Sequence, residues 1–332
     1  MIQPDPPKPL ITCMGEILVD FLPVDEGTRT VGFRMHPGGS LLNVAVAVTR
    51  LGGRSALVTK TGTDFFGRYL RAYAQGEGID TRWLSETAAP STLGFVTFAG
   101  GEPDFTFYGD GAADTRLTVD DLSDEMAAET AILHVGSISL LRGSTPATVI
   151  AACERMRGRA LLSLDPNLRP SLVLDEPAYR ATLATLFGLV DVVKVSAADL
   201  AWLAPGRDVA DAAVELLDHG PALVAVTLGE AGVLAVRRTA NGVATMRVPG
   251  FRVTVADTVG AGDSVDGGLL TRFAERGVTS RSALRRLTQD ELAEILRFAV
   301  AVAALNCSRP GADPPRRADV DAYLAGPVGA VR

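Results

Sequence analysis

Asp263 stands in the segment of the chain best suited to chemistry. It lies within Val253–Phe273, VTVADTVGAGDSVDGGLLTRF, where a short strand is predicted to run into Asp257-Thr258. The turn Gly260-Ala261-Gly262-Asp263 then leads to a helix from about Ser264, with Val265, Leu269, Leu270 and Phe273 on one face. Two glycines without Cβ just before a helix let backbone N–H groups converge on one point. A first helical turn has unpaired N–H groups and partial positive charge, so that point is an anion site. The Asp263 carboxylate has two readings there. One is a helix N-cap, a role for which Asp is among the best residues. The other is a general base that takes a hydroxyl proton while the amides stabilise charge building on a transferring phosphoryl group.

Two other phosphate-binding designs are excluded. A dinucleotide-binding turn needs a third glycine at 265, where Val265 stands. A P-loop needs glycine before its lysine, and the three lysines, Lys8, Lys60 and Lys194, follow Pro7, Thr59 and Val193. Asp165-Pro166-Asn167-Leu168-Arg169 ends a predicted strand, where open α/β sheets place ligands. An Asp–Asn pair near phosphates suits a hydrated Mg²⁺, and Arg169 could meet phosphate or substrate; a helix-capping turn is the alternative. Thr227-Leu228-Gly229-Glu230-Ala231-Gly232 ends another strand in a glycine turn. The histidines His36, His134 and His219 lack HExxH spacing, and the odd, scattered Cys13, Cys153 and Cys307 fit neither a disulfide framework nor a CxxC zinc cluster. Cys307 reads as a small buried hydrophobe.

These residues need a scaffold. Strands are predicted at Leu10–Met14, Ala56–Lys60, Ala131–Val135, Ala160–Asp165, Val190–Val195, Leu223–Leu228 and Val233–Arg237. Amphipathic helices fall at Ser40–Leu51, Phe66–Gln75, Thr145–Arg157, Pro177–Gly188 and Val209–Asp218. Such alternation, with apolar strands, marks a parallel sheet covered on both faces. Val31–His36 and Thr92–Tyr108 instead alternate polar and apolar, the second as a hairpin turning at Gly100-Gly101. They are expected to form a small separate sheet covering a site. Gly311–Arg317 reads as a loop before a short terminal helix. The chain has 332 residues, 47% of them hydrophobic, and a net charge of −7. That composition can bury a sizeable core and disfavours nucleic acid as a partner. No apolar run reaches a membrane span, and Met1–Pro9 reads as a loose tail, so a cytoplasmic chain is expected.

At this point a resemblance can be stated. DTVGAGD, residues 257–263, is similar to the DTxGAGD signature of the ribokinase-like (PfkB) carbohydrate kinases. Gly38-Gly39-Ser40-Leu41-Leu42-Asn43-Val44-Ala45 with Leu51-Gly52 resembles the family's amino-terminal motif, and Thr61-Gly62-Thr63-Asp64-Phe65-Phe66-Gly67 a third. The resemblance covers about residues 10–325. It implies a three-layer α/β sandwich with a mostly parallel central sheet and a β lid from about 17–37 and 90–115. Residues 1–9 would be a flexible tail and 10–332 one kinase domain. It further implies that Asp263 is the base, with Gly260, Ala261 and Gly262 in the catalytic turn and the amides of Ala261 to Asp263 as the anion hole. Asp20 would bind sugar hydroxyls beside Gly38, Gly39 and Asn43, with Phe107, Tyr108 and Arg169 also facing substrate. ATP would meet Asn167, Ser196, Thr227, Gly229, Gly232, Gly262 and Asn306, the last within ALNCSRPGA (304–312), which resembles part of the adenine pocket. KVSAAD (194–199) resembles the N/S-x-x-E motif that organises Mg²⁺ and phosphate, with Asp199 in place of Glu. Asp165 and Asp199 are thus the Mg²⁺ candidates, Asp199 through a bridging water. A monovalent cation, K⁺, is implied beside the anion hole at Asp257 and the carbonyls of Val259, Asn306, Arg309 and Gly311; Pro315 replaces a serine that completes this site in some members.

The lid speaks to the substrate. Between Trp83 and Thr115 there is no Lys or Arg, while Glu86, Glu102, Asp104, Asp110 and Asp114 are acidic. Kinases of 2-keto-3-deoxygluconate often place an arginine shortly after a lid tyrosine, and Asp110 follows Tyr108 here. An acid there repels an anionic substrate, by a few kcal/mol at ~4 Å in a surface-like dielectric. The expectation is therefore ATP-dependent phosphorylation of a primary hydroxyl of a neutral hexose, with a lid pattern most similar to fructokinases. The rivals are a 2-keto-3-deoxygluconate, ribose or nucleoside kinase of the same family, and a catalytically silent sugar-binding protein. By analogy, exposed lid edges could pair two copies as a homodimer.

Overall fold

Leu10–Met14 is buried along its length, and its side chains alternate between two cores. Ile11 and Cys13 enter one, and Leu10 and Met14 the other. A strand apolar on both faces needs cover on both sides, and the computed structural model, which describes residues 7–27, 29–99, 102–239 and 242–326, supplies it. The elements begin with β1 (Leu10–Met14), β2 (Leu18–Glu26), β3 (Arg29–Gly38), α1 (Ser40–Arg50), β4 (Arg54–Gly62), α2 (Phe65–Gly76) and β5 (Leu84–Thr87). There follow β6 (Thr92–Ala99), β7 (Glu102–Tyr108), α3 (Asp124–Glu129), β8 (Thr130–Gly136), α4 (Thr145–Met156), β9 (Leu161–Asp165) and α5 (Glu176–Leu189). Next come β10 (Val192–Ser196), α6 (Ala197–Leu203), α7 (Val209–Asp218), β11 (Leu223–Thr227), β12 (Val233–Thr239) and β13 (Gly242–Val248). The chain closes with α8 (Ala261–Glu275), α9 (Arg281–Arg286), α10 (Gln289–Cys307) and α11 (Arg317–Ala325).

Nine strands form the central sheet in the order β13-β12-β11-β10-β9-β8-β1-β4-β5. It is parallel from β11 to β5, and β12 and β13 are antiparallel at one edge. One core packs the sheet against α1, α2, α8 and α10, the other against α4, α5 and α7. This is the ribokinase-like three-layer sandwich with its second, four-stranded sheet, β3-β2-β6-β7. From β1 the chain proceeds to β4 and β5 on one side, then returns to β8 and runs the other way. The reversal opens a crevice at the carboxyl ends of β1 and β8, the place where open α/β sheets bind ligands.

Three expectations need correction. Val253–Thr258 is no strand: it has no neighbouring strand, and the Ala256 and Asp257 amides instead donate to the Cys307 carbonyl at 2.8 and 3.2 Å. The helix carrying Asp263 starts at Ala261, three residues before Ser264. Lys8, within the expected tail, is fastened to the Gly52 carbonyl at 2.7 Å. Residues 1–6 of that tail, the Gly100-Gly101 turn, residues 327–332 and the side chains of Glu102 and Asp104 lie outside the described residues. Among the described residues, no helix is long and apolar enough to cross a membrane.

Candidate active site

α8 is the helix that brings the site together. A Cβ on Gly267 would strike Ala47 of α1, and one on Gly268 would come within 2.8 Å of Ala299 of α10. Their absence lets three helices approach closely, so the first turn of α8 lies beside that of α1. Gly260 ends the preceding loop in the left-handed region (φ 73°) and no side chain caps α8. Asp263, its third residue, is therefore not the N-cap. Its Oδ1 accepts from Ser40 Oγ at 2.6 Å and its Oδ2 from Asn43 Nδ2 at 2.8 Å. Burial raises its pKa, and the hydrogen bonds from Ser40 and Asn43 oppose the rise.

Asp263 lines a cavity of about 420 Å³ together with Glu16, Asp20, Gly39, Asn43, Phe107, Asn167, Arg169, Lys194, Ser196, Asp199 and Gly260 to Gly262. A second cavity, of about 810 Å³, shares Thr227, Thr258, Ala261 and Gly262 with it and runs on past Gly229, Gly232 and Cys307. The anion hole is narrower than expected. Ala261 N–H closes a turn on the Thr258 carbonyl at 3.2 Å, leaving the Gly262 and Asp263 amides without a partner among the described residues. Gly262 lines both cavities and Asp263 the smaller one, so these amides lie beside the wall that the cavities share.

The sugar-side residues divide by role. Asp20 lies between Gly38 and Gly94, where a Cβ on either would run into its carboxylate. Burial and the Asp263 charge push its pKa up to about 7, with Arg169 opposing. It faces the cavity ready to accept hydroxyl donors. Gly39 and Asn43 line the same wall, whereas Gly38 makes room for Asp20. Arg169 Nη1 is bonded to Asn167 Oδ1 at 2.7 Å, and Asn167 Nδ2 reaches Ser40 Oγ at 3.2 Å. Phe107 lines the cavity, but Tyr108, the next residue along β7, points to the opposite face, is 64% exposed and packs edge-on against Phe95. Asp110 is likewise outside, paired with Arg142 at 2.7 Å, so it cannot repel a bound anion.

The nucleotide and metal expectations shift too. Thr227, Gly229 and Gly232 line the larger cavity, and Ser196 caps α6 at the edge of the smaller one. Asn306 faces neither: it is fully buried, and its Nδ2 braces the Val259 carbonyl at 2.8 Å. Asp165 is also beneath the surface, paired with Lys194 and accepting the Asn167 amide at 3.0 Å. Asp199 does reach the cavity, with its oxygens on the Leu168 and Ser196 amides at 3.0 and 2.7 Å. Among the described residues no three or more His, Cys, Asp or Glu side chains converge as a metal cage. Of the two Mg²⁺ candidates, Asp199 is the one whose carboxylate lines the cavity. At the K⁺ candidates, Asp257 accepts the Val259 and Gly311 amides at 3.0 and 2.8 Å, while the side chain of Arg309 turns to Asp313 and Asp319. The buried Asn306 Oδ1 has no partner and is the acceptor there that fits a cation.

Sequence reasoning gave no role to Ser40, Glu16 or Lys194. Ser40 bridges Asp263 and Asn167. Glu16 Oε1 accepts the Ser40 amide at 2.9 Å, a carboxylate at the N-terminus of α1 where no residue of α1 caps it. An acid directly after a buried strand was the available signal for Glu16.

Comparison with known proteins places the chain in a family. A family model described as pfkB family carbohydrate kinase matches residues 8–319. Fructokinase-1 of Zea mays is 37% identical over 322 residues, covering 94% of this chain and 97% of that protein. The crystal structure of a fructokinase with bound ATP from Xylella fastidiosa superimposes with a TM-score of 0.87 at 33% identity, covering 95% of this chain and 98% of that one. A fructokinase double mutant from Vibrio cholerae O395, in a form with fructose, ADP and potassium ion bound, gives a TM-score of 0.83 at 30% identity, covering 96% of this chain and 99% of that one.

Proposed function

We propose that this chain, which belongs to the pfkB family of carbohydrate kinases, transfers the γ-phosphoryl group of ATP to a primary hydroxyl of fructose. The observation that carries this reading is the place of Asp263. Its carboxylate, held by Ser40 and Asn43, lines the smaller cavity next to Gly262, a residue that both cavities share and whose amide is unpartnered among the described residues. The smaller cavity takes the sugar. Its wall sets Glu16, Asp20, Asp199 and Asp263 against Lys194 and Arg169, a balance that suits a neutral, hydroxyl-rich substrate better than an acid. Asp20 accepts two sugar hydroxyls, and Asp263 accepts the proton of the attacking one as the oxygen bonds to Pγ and ADP departs. The Gly262 and Asp263 amides meet the charge on the phosphoryl oxygens.

The larger cavity takes the nucleotide along Thr227, Gly229 and Gly232. Mg²⁺, which neutralises charge on the phosphates, would be oriented by Asp199 through water. K⁺ would sit by Asp257 and Asn306 Oδ1, behind the turn. The four-stranded sheet serves as the lid of a single domain, its edges available to a second copy, and the reaction belongs in the cytoplasm with its ATP. An assay of ADP release over a panel of sugars, sugar acids and nucleosides tests the reading. Fructose should give the highest kcat/KM; a tenfold advantage for 2-keto-3-deoxygluconate would overturn the substrate assignment, and no turnover of any sugar the kinase assignment.

A further inference from the structure

Lys194 is 3% exposed at the end of β10, yet its ammonium forms part of the smaller cavity's wall. Asp165 takes one of its three hydrogens; Asp266 Oδ2 lies 3.2 Å from Nζ as an ion pair, without a hydrogen bond to either of its oxygens among the described residues. At least one further hydrogen has no partner among the described residues. The ammonium presses against the anion-hole turn: a Cβ on Gly262 would come within 2.9 Å of Nζ. Burying a cation this deeply is costly unless it is paired. Burial works to discharge Lys194, and Asp165 and Asp266 outweigh it, keeping it protonated. Burial also drives the Asp266 pKa up, with Lys194 opposing and Asp165 adding to the rise. A fixed ammonium, aimed by two acids at a glycine whose amide awaits an anion, is a phosphate-binding arrangement that a packing role alone leaves unexplained.

We propose that Lys194 is a further catalytic residue, donating its remaining N–H to a non-bridging oxygen of the phosphoryl group seated on the Gly262 and Asp263 amides. Asp165 and Asp266 are the positioning residues that direct it. This rests on the kinase reading above, which puts the nucleotide phosphates at that turn. The donor acts where charge develops during transfer, so its effect falls on kcat.

The chain has only three lysines, so Lys194 can be watched directly. In the full chain labelled with ¹³C at lysine Cε, ATP should move the Lys194 resonance and leave Lys8, bonded at Gly52, and Lys60, paired with Asp121, in place. Adenosine, which lacks phosphate, should move none. Lys194→Met should lower kcat about 100-fold while KM for fructose stays within about threefold. Because Met leaves Asp165 uncompensated, the wild-type spectra decide the matter if that variant does not fold. An unmoved Lys194 signal in a chain that binds ATP and phosphorylates fructose would overturn the proposal alone. So would an equal shift with adenosine, or an unchanged kcat in a folded Lys194→Met. A wild-type chain that neither bound ATP nor turned over sugar would remove the kinase reading beneath it.

Discussion

Asp20 and Asp263 are two carboxylates in one cavity with different surroundings, and the difference assigns their work. Asp263 accepts hydrogen bonds from Ser40 and Asn43, which favour its ionised form against burial. Asp20 has no such donors among the described residues, and its pKa is pushed up to about 7 because burial and the Asp263 charge outweigh Arg169. Asp20 must be ionised to accept two hydroxyls at once, so sugar capture should weaken as pH falls through that value. Initial rates from about pH 5 to 9 should show kcat/KM for fructose dropping close to tenfold per unit on the acid side of about 7. Asp20→Asn should raise KM for fructose and remove that limb. A limb that persists unchanged in the variant would assign the titration elsewhere.

The Thr61–Gly67 motif acts at the scale of the elements. Asp64 caps α2 by accepting the Gly67 amide at 2.7 Å, and it also holds the Ser91 amide at 2.9 Å and the Ser91 hydroxyl at 2.8 Å. Ser91 leads into β6, whose Gly94 makes room for Asp20. One carboxylate thus ties a helix to the strand that makes room for Asp20. Asp64→Ala should cost about 1–2 kcal/mol in urea unfolding and raise KM for fructose more than KM for ATP; equal changes in both would mean that the tie is purely structural. The elements most legible in the sequence were those whose burial is periodic. Leu10–Met14 and Val209–Asp218 match their predicted bounds, because apolar runs and one-sided helices declare themselves. The edge strand β13 was not legible, being largely exposed and built on a single antiparallel neighbour. The stretch before Gly260 has the β-branched alternation of a strand, but strand formation needs a neighbouring strand, and here the Ala256 and Asp257 amides go to the Cys307 carbonyl instead. At the site, glycine spacing and an acid before a helix located the anion hole. Sequence could not show that Tyr108 faces away, that Asn306 braces a loop, or that Asp165 is spent on Lys194, since those depend on which side chains tertiary packing brings together.

For the molecule as a whole, two cavities open at the carboxyl ends of a parallel sheet and share a wall at the first turn of α8. The four-stranded sheet contributes Asp20 and Phe107 to one, and the loops after β11 and β13 shape the other. In the proposed reaction binding and chemistry are separable, because each cavity has its own walls and Asp263 lines only the smaller one. Replacing Asp263 by Asn keeps the shape and removes the base, so turnover and binding measured together in that variant are decisive. Titration calorimetry should find ATP and fructose affinities within about threefold of wild type while kcat falls by about 1000-fold or more. An Asp263→Asn protein that turned over within about tenfold of wild type would contradict the account.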